Sequence, residues 1–416
     1  MPVSDGHGGD PGPSRTPGTT GGPRDFIIFA VAQFTTFSAS WMQKTAIGWL
    51  VWDLTRSPAW VGAVALSELF AAFVVGPLSG AVTDRANPYR LIQTTQSVLI
   101  ANTLLLSGLL LMGLVTPIIL VAWAIFDACI QGFNQPVRTV VIGSLSPEGR
   151  TGQAIAANSV AANLGRILGP ALAGIILLNG EVSHVLALNV ILFSAMLIVV
   201  LLLRRRIERP ALPNEGITLF ADVRSGLRYI RDDPQLRILF ALVLAFSLFA
   251  RPFAELFPAL AGGDFGGGPG TLSLFLMAQG GGALAGALWL LHPRRGTALL
   301  RITCAAALGI GLVLVIFSVS TSLWLAAVTI ALAGLFHVVC NIGMQTTAQT
   351  ISVPAMRGRV VALYLLMFRA APALGAFLLG LLAQRFGLQH LIGIAAGGFL
   401  VALGLIWPRL RRTFAL

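Results

Sequence analysis

The sequence predicts an all-α membrane protein, with twelve transmembrane helices in two pseudo-symmetric six-helix bundles. Composition, apolar run length and an internal repeat carry this. Of the 416 residues, 56% are hydrophobic and 11% charged, with mean hydropathy +0.83; a soluble domain carries about 25% charged residues. Apolar runs of roughly 20 residues, enough to cross a ~30 Å hydrocarbon core, recur twelve times. Landmarks of the first six runs reappear in the second six at one constant offset.

The runs fall at 26–52, 59–82, 91–114, 118–142, 153–178 and 184–203, then 236–260, 271–291, 298–319, 323–346, 360–383 and 389–407. Residues 1–24 are rich in Gly, Pro, Ser and Thr with no apolar stretch, and read as a disordered cytoplasmic tail rather than a signal peptide. Residues 25–203 form the first bundle, 204–235 a cytoplasmic linker, 236–409 the second bundle and 410–416 a closing tail. In the linker, Phe220, Val223, Leu227 and Ile230 make one apolar helical stripe with Arg224, Arg228 and Arg231 off it. That pattern fits an amphipathic helix on the membrane surface, or one that docks a partner.

The formal net charge of +12 would suggest a nucleic-acid partner in a soluble chain, but here it follows topology. Arg85, Arg90, Arg138, Arg150, Arg204, Arg205, Arg206, Arg294, Arg295, Arg301, Arg357, Arg359, Arg409, Arg411 and Arg412 fall in alternate loops; the opposite loops carry Arg56 and Arg385. Cytoplasmic loops collect arginine, so both termini are expected in the cytoplasm, in the inner membrane of a bacterium. Three scattered cysteines (Cys129, Cys304, Cys340) and five dispersed histidines suggest neither disulfides nor a metal site.

The repeat pairs Asn134 with Asn341, Pro147 with Pro354 and Arg150 with Arg357, each 207 positions apart. Each Pro–Arg turn precedes a Gly/Pro-rich helix, with Gly169-Pro170 in one half and Pro372 and Gly375 in the other. Secondary transporters are built from such duplicated units, with the substrate site between them near the midplane. In the fifth run, Gly165-Arg166-Ile-Leu-Gly169-Pro170-Ala-Leu-Ala-Gly174 allows close helix approach and holds an arginine that should face protein or a water-filled cavity.

The loop Gly80-Ala-Val-Thr-Asp84-Arg85-Ala-Asn87-Pro88-Tyr-Arg90 resembles motif A of the major facilitator superfamily. The carboxylate of that motif implies a conformational latch on a facing helix N-terminus, here the eleventh helix near Arg359. Pro88 stands where a basic residue is usual, and Arg90 is the substitute. Gly165, Gly169, Pro170 and Gly174 are similar to that superfamily's antiporter motif C, which implies export; a generic small-residue packing helix is the alternative. Trp41-Met-Gln-Lys44-Thr-Ala46, Leu54-Thr-Arg-Ser-Pro58, Gln135-Pro-Val-Arg138, Val223–Ile230 and Arg357-Gly-Arg-Val360 resemble its drug and siderophore exporter branch, of the enterobactin-exporter kind.

Glu68 and Asp127 lie nine to ten residues into their runs, about 15 Å deep, and Arg166 is also near the midplane. The three could meet in the first half, where a carboxylate balanced between burial and a guanidinium suits proton exchange; a static ion pair is the alternative. Lys44 lies nearer the outer end, where it could snorkel. Arg251 and Arg369 are the deep charges of the second half, with Glu255 one turn from Arg251 as its simplest partner. Trp41, Trp49, Trp123, Phe126 and Phe133 could form an aromatic wall, or an interface belt. Basic residues outnumber acidic ones within the runs, which favours anionic or zwitterionic amphiphiles.

The expected function is a proton-coupled exporter of a small amphiphilic molecule, a drug or siderophore, acting by alternating access. The pathway would use Glu68, Asp127, Arg166, Lys44 and Arg369; motif A (Gly80, Asp84, Arg85, Arg90) and motif C would move. Expected partners are the small-molecule substrate and the bilayer, with no nucleic acid. The chain is expected to act as a monomer with no cofactor beyond the proton gradient. A lysophospholipid carrier or importer on the same fold, and a non-transporting receptor, remain alternatives. No inter-span segment is long enough for a catalytic domain, and Gly262–Gly268 lacks the Gly-Lys-Ser/Thr end of a phosphate loop, so an enzyme is not expected.

Overall fold

The computed structural model of the chain describes residues 23–145, 151–204, 219–290 and 299–414. Every regular element among them is helical. The first half consists of α1 (Pro23–Thr55), a bent pair α2 (Pro58–Ala65) and α3 (Ser67–Arg85), α4 (Pro88–Leu111), α5 (Pro117–Leu145), α6 (Thr151–Asn179) and α7 (Val182–Leu202). The connecting helix is α8 (Leu219–Asp232), and α9 (Pro234–Ala245) begins the second half. After α10 (Phe257–Ala259) come α11 (Gly268–Leu290), α12 (Leu299–Ser318), α13 (Leu323–Ile351), α14 (Pro354–Phe386) and α15 (Leu388–Phe414). The sequence places residues 23–24 and 410–414 in tails; here they continue α1 and α15. The tail 1–22 and the linker stretch 205–218 lie outside the described residues.

Eleven helical runs among the described residues are long and apolar enough to cross a membrane, and α1 is not one of them. The reason is its place in the bundle. Helix α1 packs against α5, α6 and α7, and it buries Gln33, Thr36, Ser38 and Gln43 to 4% exposure or less. A helix shielded by protein can carry polar groups that hydrocarbon would reject. With α2 and α3 counted as one pass and Pro234–Asp264 as another, twelve passes put both ends of the described chain on one side, termed here the terminal end.

Local sequence sets several helix starts. Pro88 and Pro234 occupy first-turn positions where the missing N–H is not needed, and the preceding Asn87 and Asp233 cap their helices. Asn87 Oδ1 accepts from the backbone of Tyr89 and Arg90, and Asp233 Oδ1 from Gln235 and Leu236 at 2.8 and 3.0 Å.

The seventh pass is not a continuous α-helix. After α9 the chain makes a π turn at Phe246–Ala250, a 3-10 turn at Pro252–Leu256, the short α10 and a second π turn at Leu260–Asp264. Pro252 and Pro258 supply the cause, since each lacks an N–H and its ring clashes with the carbonyl one turn back. Gly375 on α14 fits into this break. A Cβ there would lie 2.5 Å from the Leu248 carbonyl and would also strike Pro252. The Gly/Pro run of the eleventh pass therefore seats α14 on the broken pass within its own half.

The halves meet along α3 and α14 and, most extensively, away from the terminal end. There α2 lies against α14, α6 against α11 and α1 against α10. One hydrophobic core runs across both halves, containing Trp52, Val61, Leu177, Leu260, Leu272 and Ala376. A separate core of the first half alone (Phe29, Ile92, Val137, Ile142, Met196, Val200) occupies the terminal end. The protein is thus closed at the far end, while among the described residues the terminal-end core of the first half does not extend into the second.

Helix α8 docks on the start of α14. A Cβ at Gly226 would sit 2.9 Å from Leu363, and the Val353 N–H donates to Tyr229 Oη at 3.3 Å. Ile230 is buried, but Val223 and Leu227 of the expected apolar stripe stay exposed beside exposed Arg224, Arg228 and Arg231. One edge of the helix therefore lies on protein, while part of the expected apolar stripe stays uncovered.

Candidate functional site

A cavity of about 140 Å³ lies between the halves, walled by α1, α6, the broken seventh pass, α11 and α13. Its charged lining residues are Lys44, Arg166, Arg251 and Glu255, with His337 and Gln279 beside them. Trp41, Ile167, Pro170, Leu272 and Val338 supply an apolar wall. Among the five aromatics singled out in the sequence, Trp41 lines this space, Trp49 and Trp123 are buried in the core, and Phe126 is exposed.

Lys44 is the centre of the site. Its Nζ lies 2.6 Å from Glu68 Oε1 and 3.0 Å from Glu255 Oε2. Glu68 opens α3 just beyond the bend at Leu66, so it belongs to the same half as Lys44. Glu255 sits in the 3-10 turn of the other half. One ammonium therefore ties two carboxylates across the interface, with Trp41 stacked on it at 5.0 Å. This corrects two expectations. Lys44 does not snorkel to the outer edge but faces the cavity, and Glu255 pairs with Lys44 rather than Arg251, because the broken backbone turns the two residues off a common helical face.

Arg251 instead donates through Nη1 to the Phe368 carbonyl and stacks over the Phe368 ring at 4.4 Å. Phe368 belongs to an aromatic group with Phe246, His337 and Tyr364. Arg369, the next residue on α14, is exposed, and its charge acts on Glu68 and Arg166.

Asp127 has hydrogen-bond partners of its own, apart from the Lys44 bridge, although the charge of Glu68 still acts on it. It accepts from Gln43 Nε2 at 3.1 Å, and Gln43 Oε1 in turn accepts from Thr103 and Asn189 at 3.1 and 3.2 Å. The expected meeting of Glu68, Asp127 and Arg166 is therefore divided in two. Lys44 holds Glu68, Gln43 holds Asp127, and Arg166 faces the cavity from α6.

Motif C acts mainly within one half. Methyl groups on Gly165 and Gly169 would fall 2.7 Å from Phe37 Cβ and 2.5 Å from the Ser38 carbonyl, both on α1. At Gly174 the close neighbour is Ser273 Cα of α11, 2.7 Å away in the other half. Helix α6 runs unbroken through Pro170. For motif A, Gly80, Asp84 and Arg85 end α3, which packs on α14, but their side chains lie outside the described residues; Arg90 is exposed.

Arg138 was missed as an interior residue. The sequence places it in a loop; α5 instead continues to Leu145, leaving Arg138 2% exposed over the Phe37 ring at 5.3 Å. Its Nε and Nη2 have no hydrogen-bond partner among the described residues. A desolvated cation–π contact offers about 2 kcal/mol or somewhat more, against a desolvation cost of several. Arg138→Met is therefore expected to raise the melting temperature of the purified protein, followed by intrinsic fluorescence. A drop of several degrees would show that the guanidinium has partners that stabilise it.

A twelve-pass bundle closed at one end over a charged cavity between its halves is the architecture of a secondary transporter. Residues 24–413 match the transmembrane secretion effector family of the major facilitator superfamily, and the chain belongs to that family. It is 23% identical over 372 residues to the staphyloferrin A transporter of Staphylococcus aureus, covering 88% of this chain and 91% of that one. It is 26% identical over 410 residues to the multidrug efflux pump Tap of Mycolicibacterium fortuitum, covering 94% and 97%. Among solved structures, the nucleoside transporter NupG superposes with a TM-score of 0.71 at 13% identity, covering 93% of this chain and 99% of that one. An inward-facing bacterial homologue of the lysosomal transporter Spinster gives 0.66 at 15%, covering 94% and 98%. These likenesses confirm the fold class. The protein is a multi-pass membrane transporter and not an enzyme.

Proposed function

We propose that this transporter is a proton-coupled exporter of a small amphiphilic molecule, a drug or siderophore. It would work as a monomer in a bacterial cytoplasmic membrane with both termini in the cytoplasm. The observation that carries the reading is the bridge from Lys44 to Glu68 within one half and to Glu255 in the other. A proton arriving on Glu255 removes one charge of the bridge and frees the halves to rock apart at the far end. Glu68 keeps Lys44 in place during that step. Asp127, held by Gln43, is a second proton site deeper in the first half. Arginine-rich loops on the terminal side support the orientation, and the efflux function of one relative supports the direction.

The test uses everted vesicles and three fluorescent amphiphiles: cationic ethidium, zwitterionic rhodamine B and anionic dansyl-glutamate. At least one is expected to accumulate when a proton gradient is imposed. Collapsing the gradient, or introducing Glu255→Gln, should reduce accumulation at least tenfold. Gradient-independent accumulation, full activity of Glu255→Gln, or no accumulation of any of the three would overturn the reading.

A further inference from the structure

The charges around the cavity do not balance. Lys44, Arg166 and Arg251 line it against Glu255, and beyond the lining the charges of Arg369 and Glu68 act on Arg166 and Arg251 respectively. Both carboxylates are already taken by Lys44 at 2.6 and 3.0 Å. Counting Asp127, which Gln43 holds elsewhere, still leaves the balance positive. The charges of Arg251 and Arg369 repel that of Arg166, while those of Glu255 and Glu68 attract Arg251 without contact. No carboxylate lies within 4 Å of Arg251 among the described residues.

Arg251 is also fixed in place. Its contact with the Phe368 carbonyl and its stacking on the Phe368 ring use one nitrogen and one face. A guanidinium has five N–H donors in a planar fork, so donors remain for a second acceptor. A separate observation points the same way. His337 lines the same cavity, and its Nδ1 is buried without a hydrogen-bond partner. Arg251 and Arg166 line that cavity with it, and their charges act on the imidazole. A buried polar atom left unsatisfied costs about 1–3 kcal/mol, which a ligand bonding to it would recover. Opposite these groups the wall is apolar, with Trp41, Ile167, Leu272 and Val338.

We propose that the cavity recognises its substrate through a carboxylate, gripped between Arg166 of one half and Arg251 of the other and bonded by His337. The substrate class is an anionic amphiphile whose apolar body lies against Trp41 and α11. Neutral esters and cations are disfavoured by the net positive charge of the lining, three basic side chains against Glu255. Because Arg166 and Arg251 belong to different halves, the bound anion draws the halves together at the cavity, in addition to the Lys44 bridge. This assignment rests on the transport reading above for the role of the cavity, but binding itself needs no gradient.

The purified full-length protein in detergent is titrated with dansyl-glutamate and, separately, with its dimethyl ester. Energy transfer from tryptophan, with Trp41 in the cavity wall, reports binding. The free acid is expected to bind at least tenfold more tightly than the diester. Arg251→Gln and Arg166→Gln should bring that ratio close to one, and Arg251→Lys, which keeps the charge without the fork, should restore part of it. Gel filtration and the melting temperature identify a variant that has failed to fold, in which case Arg251→Lys and His337→Phe carry the test through a lowered ratio. Equal binding of acid and diester, or a ratio untouched in the folded variants, overturns the proposal. Gradient-driven accumulation of ethidium alone in the vesicles would sink the anion assignment and leave proton-coupled export standing. Arginine-dependent binding of dansyl-glutamate with no accumulation of any probe would do the reverse.

Discussion

Lys44→Met is expected to abolish transport and to destabilise the protein, and Glu255→Gln in the same chain is expected to restore the stability alone. Removing the ammonium takes away the only cation in contact with Glu68 and Glu255 among the described residues, leaving the more distant charge of Arg251 to act on both. Breaking a buried ion pair costs about 3–5 kcal/mol when one charge remains behind. The side chains of Lys44, Glu68 and Glu255 keep 29%, 37% and 16% of their exposure, so solvent screening puts the loss nearer ~2–3 kcal/mol. Glu255, the drier carboxylate, accounts for most of it. Neutralising Glu255 removes the stranded charge, so the melting temperature of the double variant should return toward that of the parent. Transport should not return, because nothing then couples a proton to the contact between halves. A double variant that transports would show that the bridge is a structural pin.

Gly62→Leu is expected to open the far end and cut transport at least tenfold. A Cβ on Gly62 would sit 2.8 Å from both the Ala376 carbonyl and Phe377 Cα. These are backbone atoms of α14, which cannot rotate away as a side chain can. The reciprocal contact is equally close, with a Cβ on Gly380 falling 2.5 Å from the Pro58 carbonyl. Overpacking of this kind costs about 1–3 kcal/mol, and 1.4 kcal/mol is a tenfold shift in population. The cost falls on the closed state alone, because α2 and α14 separate when the far end opens. Ser57, 9% exposed and hydrogen-bonded by Gln384 at 3.1 Å, reports the change. With the three native cysteines replaced, Ser57→Cys should react slowly with an impermeant maleimide in the parent and much faster alongside Gly62→Leu. An unchanged labelling rate would show that the seal tolerates the added side chain.

Much of this was legible along the chain. Twelve passes, the duplicated halves and the all-helical class follow from run length and composition, because hydrocarbon demands apolar surface and internally satisfied backbone whatever the neighbours are. The caps at Asn87 and Asp233 and the break at Pro252 and Pro258 are local, and the residues themselves specify them. Lys44, Glu68, Asp127, Arg166, Arg251 and Glu255 were also visible as charges in apolar runs. Their pairing was not. Depth along a helix is one coordinate, and partnership also needs the direction each residue faces and the identity of the neighbouring helix.

Arg138 marks the limit most clearly, since its distance from the end of an apolar run suggests a loop and only the packing of α5 buries it. Gly174 makes the same point within a recognisable motif. The spacing of its glycines says that something approaches closely, while the fold assigns Gly165 and Gly169 to α1 and Gly174 to α11. Membership in a class of transporters was thus written in composition and periodicity, which depend on the solvent. The bridge at Lys44, the positive cavity and the closed far end arise from contacts between residues as many as 327 positions apart, as between Ser57 and Gln384, and such contacts exist only once the halves have packed.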